Sequence, residues 1–289
     1  MTAGGTPARE GSGISGDGGF GAGVSGAGVF GAGVFGVDGG LARRMERRFG
    51  VGARSWLAGL PSLVAGLCAD WGLEVERPLS GGTSHALLCR RGGVPVVLKV
   101  TPEPALAVAE CAALRAWEPS PRVVRVLRVD PARGALLLEG LVPGTPAVDG
   151  PGLPEVLRGL HVPAPEGFPP LSERVDFVFG VLARRRPGDH SRAHEEASRL
   201  ARDRVPPVLL HGDLHPGNVL DAGPRGLVAI DPRACVGDAA SDAVDFAYLG
   251  DDLEGRIEWL SAVVDGDRLA AWCRVYAAFY PDHPAVRRA

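Results

Sequence analysis

The stretch that decides the fold of this chain is His211-Gly-Asp-Leu-His-Pro-Gly-Asn218, followed by Ala229-Ile-Asp-Pro232. Asp213 stands five residues before Asn218 and eighteen residues before Asp231. Phosphoryl transfer from ATP needs one carboxylate that orients the attacking hydroxyl and accepts its proton, and a second that holds magnesium together with an amide oxygen. The spacing predicts that Asp213 fills the first role and that Asp231 and Asn218 fill the second.

Lys99 is the only lysine among the 31 lysine and arginine residues of the chain. It lies in the apolar run Val96–Val100, which is typical of a strand. A compact ammonium acts as a point charge beside phosphates, and a planar guanidinium copies this poorly. Kinases place such a lysine on a strand and pair it with a helix glutamate, for which Glu110 is the candidate. The pattern predicts that Lys99 binds the α/β-phosphates; the alternative is a lysine that persists by chance in an arginine-biased chain.

A glycine turn, Ser80-Gly-Gly-Thr-Ser84, lies one strand before Lys99. Gly81 and Gly82 would let backbone N–H groups approach phosphate oxygens closely, with Thr83 and Ser84 completing the turn. The alternative interpretation is a plain hairpin turn between two strands. Because no Walker A sequence is present, the sequence disfavours a P-loop ATPase.

The composition is typical of a soluble globular protein. With 45% hydrophobic and 22% charged residues, the 289-residue chain can bury a core, and its net charge of −3 gives no indication of a basic nucleic-acid surface. Residues 1–40 repeat a glycine-rich unit and predict a disordered tail, because dense glycine is costly to order. Glycine also interrupts any signal-peptide core, and we expect no membrane-spanning run elsewhere. The sequence predicts a cytoplasmic protein with neither a membrane nor a nucleic-acid partner.

Hydrophobic periodicity predicts an α+β architecture of two lobes. Residues 41–142 predict a small lobe with helices, five strands and one crossover helix that carries Glu110. A hinge rich in glycine and proline follows near residues 140–152. Residues 143–289 predict a larger, mostly helical lobe with the catalytic loop, a hairpin that presents Asp231, and a helix over residues 238–250. The five strands predicted for the small lobe are residues 73–79, 86–90, 94–100, 123–129 and 135–139.

Seven acidic residues downstream of the hairpin gather around one base, Arg256. They are Asp238, Asp242, Asp245, Asp251, Asp252, Glu254 and Glu258. Such a field would attract a cationic acceptor, whereas the alternative interpretation is a set of helix N-caps and solvated faces. Asp245 in particular is a candidate brace for the catalytic loop.

Longer phrases around these residues resemble a known family. The loop 211–218 with Asp231 is similar to that of the aminoglycoside phosphotransferase-like kinases. The phrases 229–238, 110–117 and 134–139 resemble its streptomycin 6-phosphotransferase branch, the aminoglycoside/hydroxyurea kinase family. The resemblance implies a bilobal protein-kinase-like fold with an antiparallel sheet in the small lobe. It also implies ATP and Mg2+ as cofactors and adenine bound near Leu138–Leu141, which makes Glu139 a candidate for the nucleotide site.

The predicted function is ATP-dependent phosphorylation of a hydroxyl on a small, cationic, aminoglycoside-like acceptor such as streptomycin. A protein kinase is disfavoured because no Ala-Pro-Glu-like anchor follows Asp231. A metabolic kinase that acts on a sugar, choline or homoserine shares the core motif and stays open. So does a non-catalytic binder derived from a kinase, although the intact set of Lys99, Asp213, Asn218 and Asp231 argues against it.

Overall fold

The structure is a computed structural model that describes residues 38–287, with five internal positions left out. Those positions are Ser80, Gly81, Thr83, Val148 and Asp149. The predicted tail therefore lies outside the described residues, except for its last three positions. Of these, Gly39 and Gly40 already belong to the first helix. Contacts between residues divide the described chain into two compact units.

The first unit, called the sheet unit, comprises residues 38–162 and 216–234. This unit extends beyond residue 142, because residues 143–162 and 216–234 also belong to it by their contacts. The lobe boundary near residue 142 stays a prediction. Its helices are α1 (Gly39–Phe49), α2 (Ala53–Trp71), α3 (Pro104–Ala116) and α4 (Leu153–Leu160). Its strands are β1 (Glu74–Leu79), β2 (His85–Arg91), β3 (Val94–Val100), β4 (Val126–Asp130), β5 (Ala135–Glu139), β6 (Thr145–Pro146), β8 (Val219–Asp221) and β9 (Leu227–Ala229).

An antiparallel five-stranded sheet, in the order β1-β2-β3-β5-β4, forms the centre of the sheet unit. In β3, Val96, Leu98 and Val100 are buried at alternate positions, because successive side chains of a strand point to opposite faces. Lys99 therefore lies on the other face, paired in register with Ala86 on β2 and Leu136 on β5. The predicted sheet is confirmed, with small shifts at the strand ends.

Helices α1 and α2 cover the buried face of the sheet. Leu60, Val64 and Leu67 recur along one side of α2 and join Leu98 in a continuous hydrophobic core. The stretch Gly39–Trp71 is long and apolar enough to cross a membrane by length and composition. The expectation of no membrane-spanning run therefore stays a prediction. Length and composition alone are a weak indication, since the inner side of α2 packs into the unit's own core.

A small three-stranded sheet, in the order β6-β8-β9, carries the hairpin predicted to present Asp231. Val219 pairs with Ala229, and the Ile230 amide donates to the Asn218 carbonyl at 2.9 Å. The hairpin is anchored further by a bridge between Val123 and Ala229. Asn218 and Asp231 therefore leave the same end of one hairpin.

The second unit, called the helical unit, comprises residues 163–215 and 235–287 among those described. A pair of three-residue strands, β7 (Val208–Leu210) and β10 (Cys235–Gly237), stands at the base of the catalytic loop. The helices are α5 (Leu171–Arg185), α6 (Ser191–Leu200), α7 (Val244–Ala247), α8 (Leu253–Leu260), α9 (Gly266–Tyr276) and α10 (Pro284–Arg287).

The helix predicted over residues 238–250 is wrong. A 3-10 turn over Ala239–Ala243 is followed only by the one-turn helix α7. Asp238 accepts a hydrogen bond from the Ala240 amide and thereby caps the start of this 3-10 turn. This irregular segment turns Asp242 toward the catalytic loop.

Candidate active site

Lys99, Glu110 and Asp231 meet in the sheet unit. The Lys99 ammonium donates to both Glu110 carboxylate oxygens, at 2.6 and 2.8 Å, and to Asp231 Oδ1 at 3.1 Å. Strand β3 aims Lys99 at α3, on which Glu110 is 5% exposed. Three charges that are far apart in the chain are therefore in direct contact.

The protonation of this cluster follows from its burial and its partners. Burial by itself would lower the pKa of Lys99, but the carboxylates of Asp231 and Glu110 outweigh it and raise that pKa above its ordinary value. Burial raises the pKa of Glu110, against the opposing effect of Lys99. Lys99 is consequently a fixed cation near neutral pH, suited to bind an anionic group.

Asp231 adopts a backbone conformation that side chains rarely adopt. Its φ is 58°, and it is the one described non-glycine residue with a positive φ. Such conformations cluster at functional sites, where the surrounding structure maintains them. Here the hairpin hydrogen bond between Ile230 and Asn218 immediately precedes the turn. Asp231 thus directs its carboxylate back to Lys99 instead of continuing the strand.

Arg233 is a second cation at this carboxylate. Its guanidinium lies 3.4 Å from Asp231 Oδ1, and its charge also acts on Lys99 and Glu110. Ser84, Lys99, Glu110 and Arg233 line one small cavity of about 10 Å3, enough for about one water molecule. The buried Ser84 therefore belongs to the cluster.

The rest of the predicted glycine turn is only partly visible. Gly82 is half-buried at the tip of the turn between β1 and β2. Gly81 and Thr83 lie outside the described residues. Their predicted contact with phosphates stays a prediction.

Glu139, at the end of β5, contacts two arginines. Its carboxylate accepts from the Arg125 amide at 2.9 Å, from Arg125 Nε at 3.0 Å and from Arg225 Nη1 at 2.5 Å. These contacts lower the pKa of Glu139 although burial opposes the shift. The structure does not place the Glu139 side chain in the Lys99 cluster. Its carboxylate links β5 to the loop before β4 and to the β8–β9 hairpin.

Asp213 lies in the helical unit, in the loop that follows β7. Arg174, on α5, donates from Nη2 to Asp213 Oδ1 and from Nε to the Gly212 carbonyl, both at 2.5 Å. The Asp213 amide is 3.3 Å from His211 Nδ1. The side chain of Asp213 is 23% exposed. Asp213 is therefore oriented by its neighbours and still accessible.

Asp242 braces the backbone of this loop. Its two carboxylate oxygens accept from the His211 and Gly212 amides, at 2.7 and 2.9 Å. Asp245 was the residue expected to do so. It instead lines a cavity beside Asp213, together with Asp242 and Tyr276.

Two of the other acidic residues downstream, Asp238 and Asp252, hold the local structure. Asp238 is 6% exposed and accepts from Trp272 Nε1 and Arg268 Nε. Asp252 accepts from the Gly255 amide and caps α8. Asp238 also accepts from the Ala240 amide and caps the 3-10 turn, so the N-cap interpretation fits both residues.

Comparison with known proteins identifies the chain. Residues 73–279 match the sequence model of the aminoglycoside/hydroxyurea antibiotic resistance kinases. The chain is a member of this family. It is 33% identical to a hydroxyurea phosphotransferase of Kitasatospora aureofaciens over 77% of this chain and 72% of the relative. It is 34% identical to a streptomycin 6-kinase of Streptomyces griseus, over 71% and 72% of the two chains. The predicted family is confirmed, and this member is a small-molecule phosphotransferase.

Solved structures agree on the fold of this kinase. Choline kinase LicA of Streptococcus pneumoniae has a TM-score of 0.57 at 13% identity, covering 78% of this chain and 90% of its own. Aminoglycoside phosphotransferase APH(4)-Ia, in a ternary complex with AMP-PNP and hygromycin B, has a TM-score of 0.54 at 17% identity, covering 74% and 88%. The predicted protein-kinase-like α+β fold is confirmed.

Three residues of the site were missed by sequence reasoning. Arg233 had a signal, since it stands two residues after Asp231. Asp242 was included among the acidic residues but not assigned to the loop. Arg174 had no signal, because it lies 39 residues before Asp213 in a chain whose other cations are almost all arginine.

Proposed function

We propose that this kinase transfers the γ-phosphoryl group of ATP to a hydroxyl of an aminoglycoside, with streptomycin as the first candidate acceptor. The observation that carries the proposal is the contact of Lys99 with both Glu110 and Asp231. Kinases use this arrangement to bind the nucleotide phosphates and the magnesium beside them. The sheet unit is proposed as the nucleotide-binding part and the helical unit as the part that holds the acceptor.

Lys99 would bind the α/β-phosphates, with Glu110 fixing its position. The proposed turn over residues 80–84 supplies backbone N–H groups to the same phosphates. ATP as the donor is supported by the AMP-PNP complex of the structural neighbour APH(4)-Ia. Because ATP is an intracellular donor, the proposal also places the protein in the cytoplasm.

Asn218 and Asp231 fit a magnesium ion. Both offer oxygen donors, the ligand type that magnesium prefers, and both leave the same end of the β8–β9 hairpin. When bound, magnesium neutralises charge on the β- and γ-phosphate oxygens. The left-handed backbone of Asp231 keeps its carboxylate at this point.

Asp213 would orient the acceptor hydroxyl and take its proton. The hydroxyl oxygen forms a bond to the γ-phosphorus while the bond to the bridging oxygen of ADP breaks. The hydroxyl proton passes to the Asp213 carboxylate late in this step. Asp242 and Arg174 hold the loop in place for it. Positioning of this kind accounts for most of the rate in phosphoryl transfer.

The streptomycin assignment is supported by the streptomycin 6-kinases among the relatives and by the carboxylates beside Asp213. A cationic acceptor gains from such a field. Hydroxyurea is the second candidate, favoured by the 33% identical hydroxyurea phosphotransferase. Choline and sugar kinases remain alternatives, because they share the fold.

A direct test incubates the purified protein with ATP, magnesium and one acceptor at a time, and detects the product by mass spectrometry. The acceptors are streptomycin, hygromycin B, hydroxyurea and choline. We expect one added phosphoryl group on streptomycin. Asp213→Asn should still bind ATP while turnover falls on the order of 100-fold or more. No product with any acceptor, or an Asp213→Asn variant with unchanged turnover, would refute the proposal.

A further inference from the structure

Arg233 is a cation at the Lys99 cluster to which the proposed reaction assigns no role. It stands two residues after Asp231, where a φ of 58° turns the chain. Its guanidinium lies 3.4 Å from Asp231 Oδ1, the oxygen that also accepts from the Lys99 ammonium at 3.1 Å. Arg233 and Lys99 line the same small cavity, together with Ser84. One carboxylate oxygen therefore faces two cations, of which only Lys99 has an assigned function.

The cluster is most accessible at Arg233 and Asp231. The exposed fraction of the side chain is 5% for Glu110 and 11% for Lys99, but 19% for Arg233 and 26% for Asp231. All four residues belong to the sheet unit. An anionic ligand that comes to Lys99 from solvent therefore arrives on the side where Arg233 lies.

The charge balance of the cluster favours a second cation for phosphate binding. Lys99 donates to both Glu110 oxygens, at 2.6 and 2.8 Å, so a carboxylate already offsets much of its charge. The phosphates of ATP carry several negative charges, and each further cation close to them in a partly buried site adds attraction. Arg233 has a suitable geometry, because its planar guanidinium can donate to two phosphate oxygens at once.

Asp231 links Arg233 to the proposed metal site. A carboxylate oxygen that coordinates magnesium is a poorer partner for a nearby guanidinium, because the two cations repel each other. The separation of 3.4 Å between Arg233 and Asp231 is also longer than a good hydrogen bond. Exchange of Asp231 for a phosphate oxygen therefore gives up no short contact between these two side chains.

We infer that Arg233 is a second phosphate-binding residue beside Lys99. It pairs with Asp231 in the nucleotide-free protein and binds the nucleotide phosphates once Asp231 coordinates magnesium. The inference rests on the proposed function, since it requires a nucleotide at Lys99. The rival role is a brace, in which Arg233 only holds Asp231 in place for the metal.

The first test measures the binding of magnesium-ATP and of adenosine to wild type and Arg233→Gln by isothermal titration calorimetry. Arg233→Gln should bind magnesium-ATP about 10- to 100-fold more weakly, the loss expected for hydrogen bonds to a charged group. Adenosine has no phosphate, so its affinity should not change. Arg90→Gln is the matched control and should bind like wild type. Arg90 also pairs with a carboxylate of the sheet unit, Glu76, but is not among the residues that line the Lys99 cavity.

The second test separates phosphate binding from the brace by removing the carboxylate. Asp231→Asn and the double variant Asp231→Asn with Arg233→Gln are titrated with ATP in EDTA, so that neither a metal ion nor the charge of Asp231 takes part. Direct phosphate binding predicts an affinity about 10- to 100-fold weaker for the double variant, whereas a brace predicts equal affinities. Because the double variant removes both charges of the pair, it leaves neither of them uncompensated. Thermal unfolding checks that each variant is folded.

Three results would overturn the inference. Arg233→Gln could bind magnesium-ATP as tightly as wild type, its affinity for adenosine could fall by the same factor, or Asp231→Asn and the double variant could bind ATP equally.

These titrations contain no acceptor, so this inference and the proposed function fail separately. A wild type that binds ATP but phosphorylates no acceptor refutes the proposed function and leaves both titrations decisive for Arg233. A wild type that phosphorylates streptomycin, while Arg233→Gln binds magnesium-ATP equally well, refutes the inference alone. A wild type that does not bind ATP refutes both.

Discussion

Lys99 carries a largely buried charge, with its side chain 11% exposed, and its carboxylate partners neutralise that charge. A buried ion pair contributes little compared with well-packed apolar residues, whereas removal of one partner leaves an uncompensated charge. The Lys99–Glu110 contact therefore matters mainly because each group neutralises the charge of the other. Asp231 and Arg233 add a second pair at the same point.

Because of this dependence, the effects of substituting Lys99 and Glu110 on the free energy of unfolding should not be additive. Glu110→Leu should destabilise the protein by about 3–5 kcal/mol, because Lys99 loses its main partner. The double variant Lys99→Met with Glu110→Leu should recover most of that loss, since no uncompensated ammonium remains. Urea unfolding of the wild type, both single variants and the double variant measures the coupling. Additive losses would contradict this account.

At the residue scale, the sequence predicted the groups with a motif and missed those defined only by packing. Lys99, Glu110 and Asp231 occur in recognisable local patterns, and the structure brings them together. Arg174 contacts Asp213 from helix α5, which is distant in the sequence, so local spacing carried no information about this contact. Glu139 shows the converse: its position at the strand end was correct, but its arginine partners depend on long-range folding.

At the scale of elements, the 3-10 turn over Ala239–Ala243 acts as a support for the catalytic loop. Asp242 offers one carboxylate oxygen to each of two consecutive amides. Hydrogen bonds to a charged acceptor are stronger than neutral ones. The backbone of the loop that carries Asp213 is thus fixed by a side chain of the neighbouring 3-10 turn.

Loss of this support should affect both folding and turnover. Asp242→Ala leaves two loop amides without their acceptor, and we expect a loss of about 3 kcal/mol in the free energy of unfolding. kcat should fall about tenfold or more, because the loop is displaced. Ser241→Ala is the control on the same turn, since its hydroxyl donates only to the Asp238 carbonyl among the contacts described. Similar effects of both variants on kcat would overturn the assignment.

The elements that the sequence predicted well are the long, periodic ones. Strand β3 was placed at its observed ends, because its apolar spacing is regular. Strand β10 has three residues and no alternating pattern of its own. The expected helix over residues 238–250 is instead a 3-10 turn and a one-turn helix, and tertiary contacts of Asp238 and Asp242 hold this segment in place.

On the scale of the whole molecule, acid stability should depend on carboxylates held by arginine. The contacts with Arg225 and Arg125 keep the pKa of Glu139 below its ordinary value of 4.5 in the folded state. A lowered folded-state pKa gives stability that is present above the unfolded value and lost as the pH falls through the folded value. Glu139 therefore stabilises the protein at neutral pH and ceases to do so in acid.

Melting temperatures measured against pH test this expectation. The difference in melting temperature between wild type and Glu139→Gln should be largest at neutral pH. It should begin to decrease near pH 4.5 and disappear at lower pH. Glu118→Gln, which removes an exposed carboxylate after α3, is the control. A gap for Glu139→Gln that is independent of pH would contradict the role of the carboxylate charge.

The composition of the two compact units depends on pairings between distant parts of the chain. The hairpin that carries Asp231 groups with the sheet unit through contacts such as Val123 with Ala229, and the boundary near residue 142 stays a prediction about the lobes. Such long-range pairings depend on tertiary packing, which periodicity along the chain does not encode.

Lys99 also has a practical consequence. Because the chain has no other lysine and this one is buried and fully protonated near neutral pH, amine-directed acylation should find no reactive side chain on the folded protein. Reagents that couple through amines would attach at the chain terminus alone. An ATP analogue with an acylating phosphate would instead mark a single, known position, so that the number of labels per molecule would directly count occupied nucleotide sites.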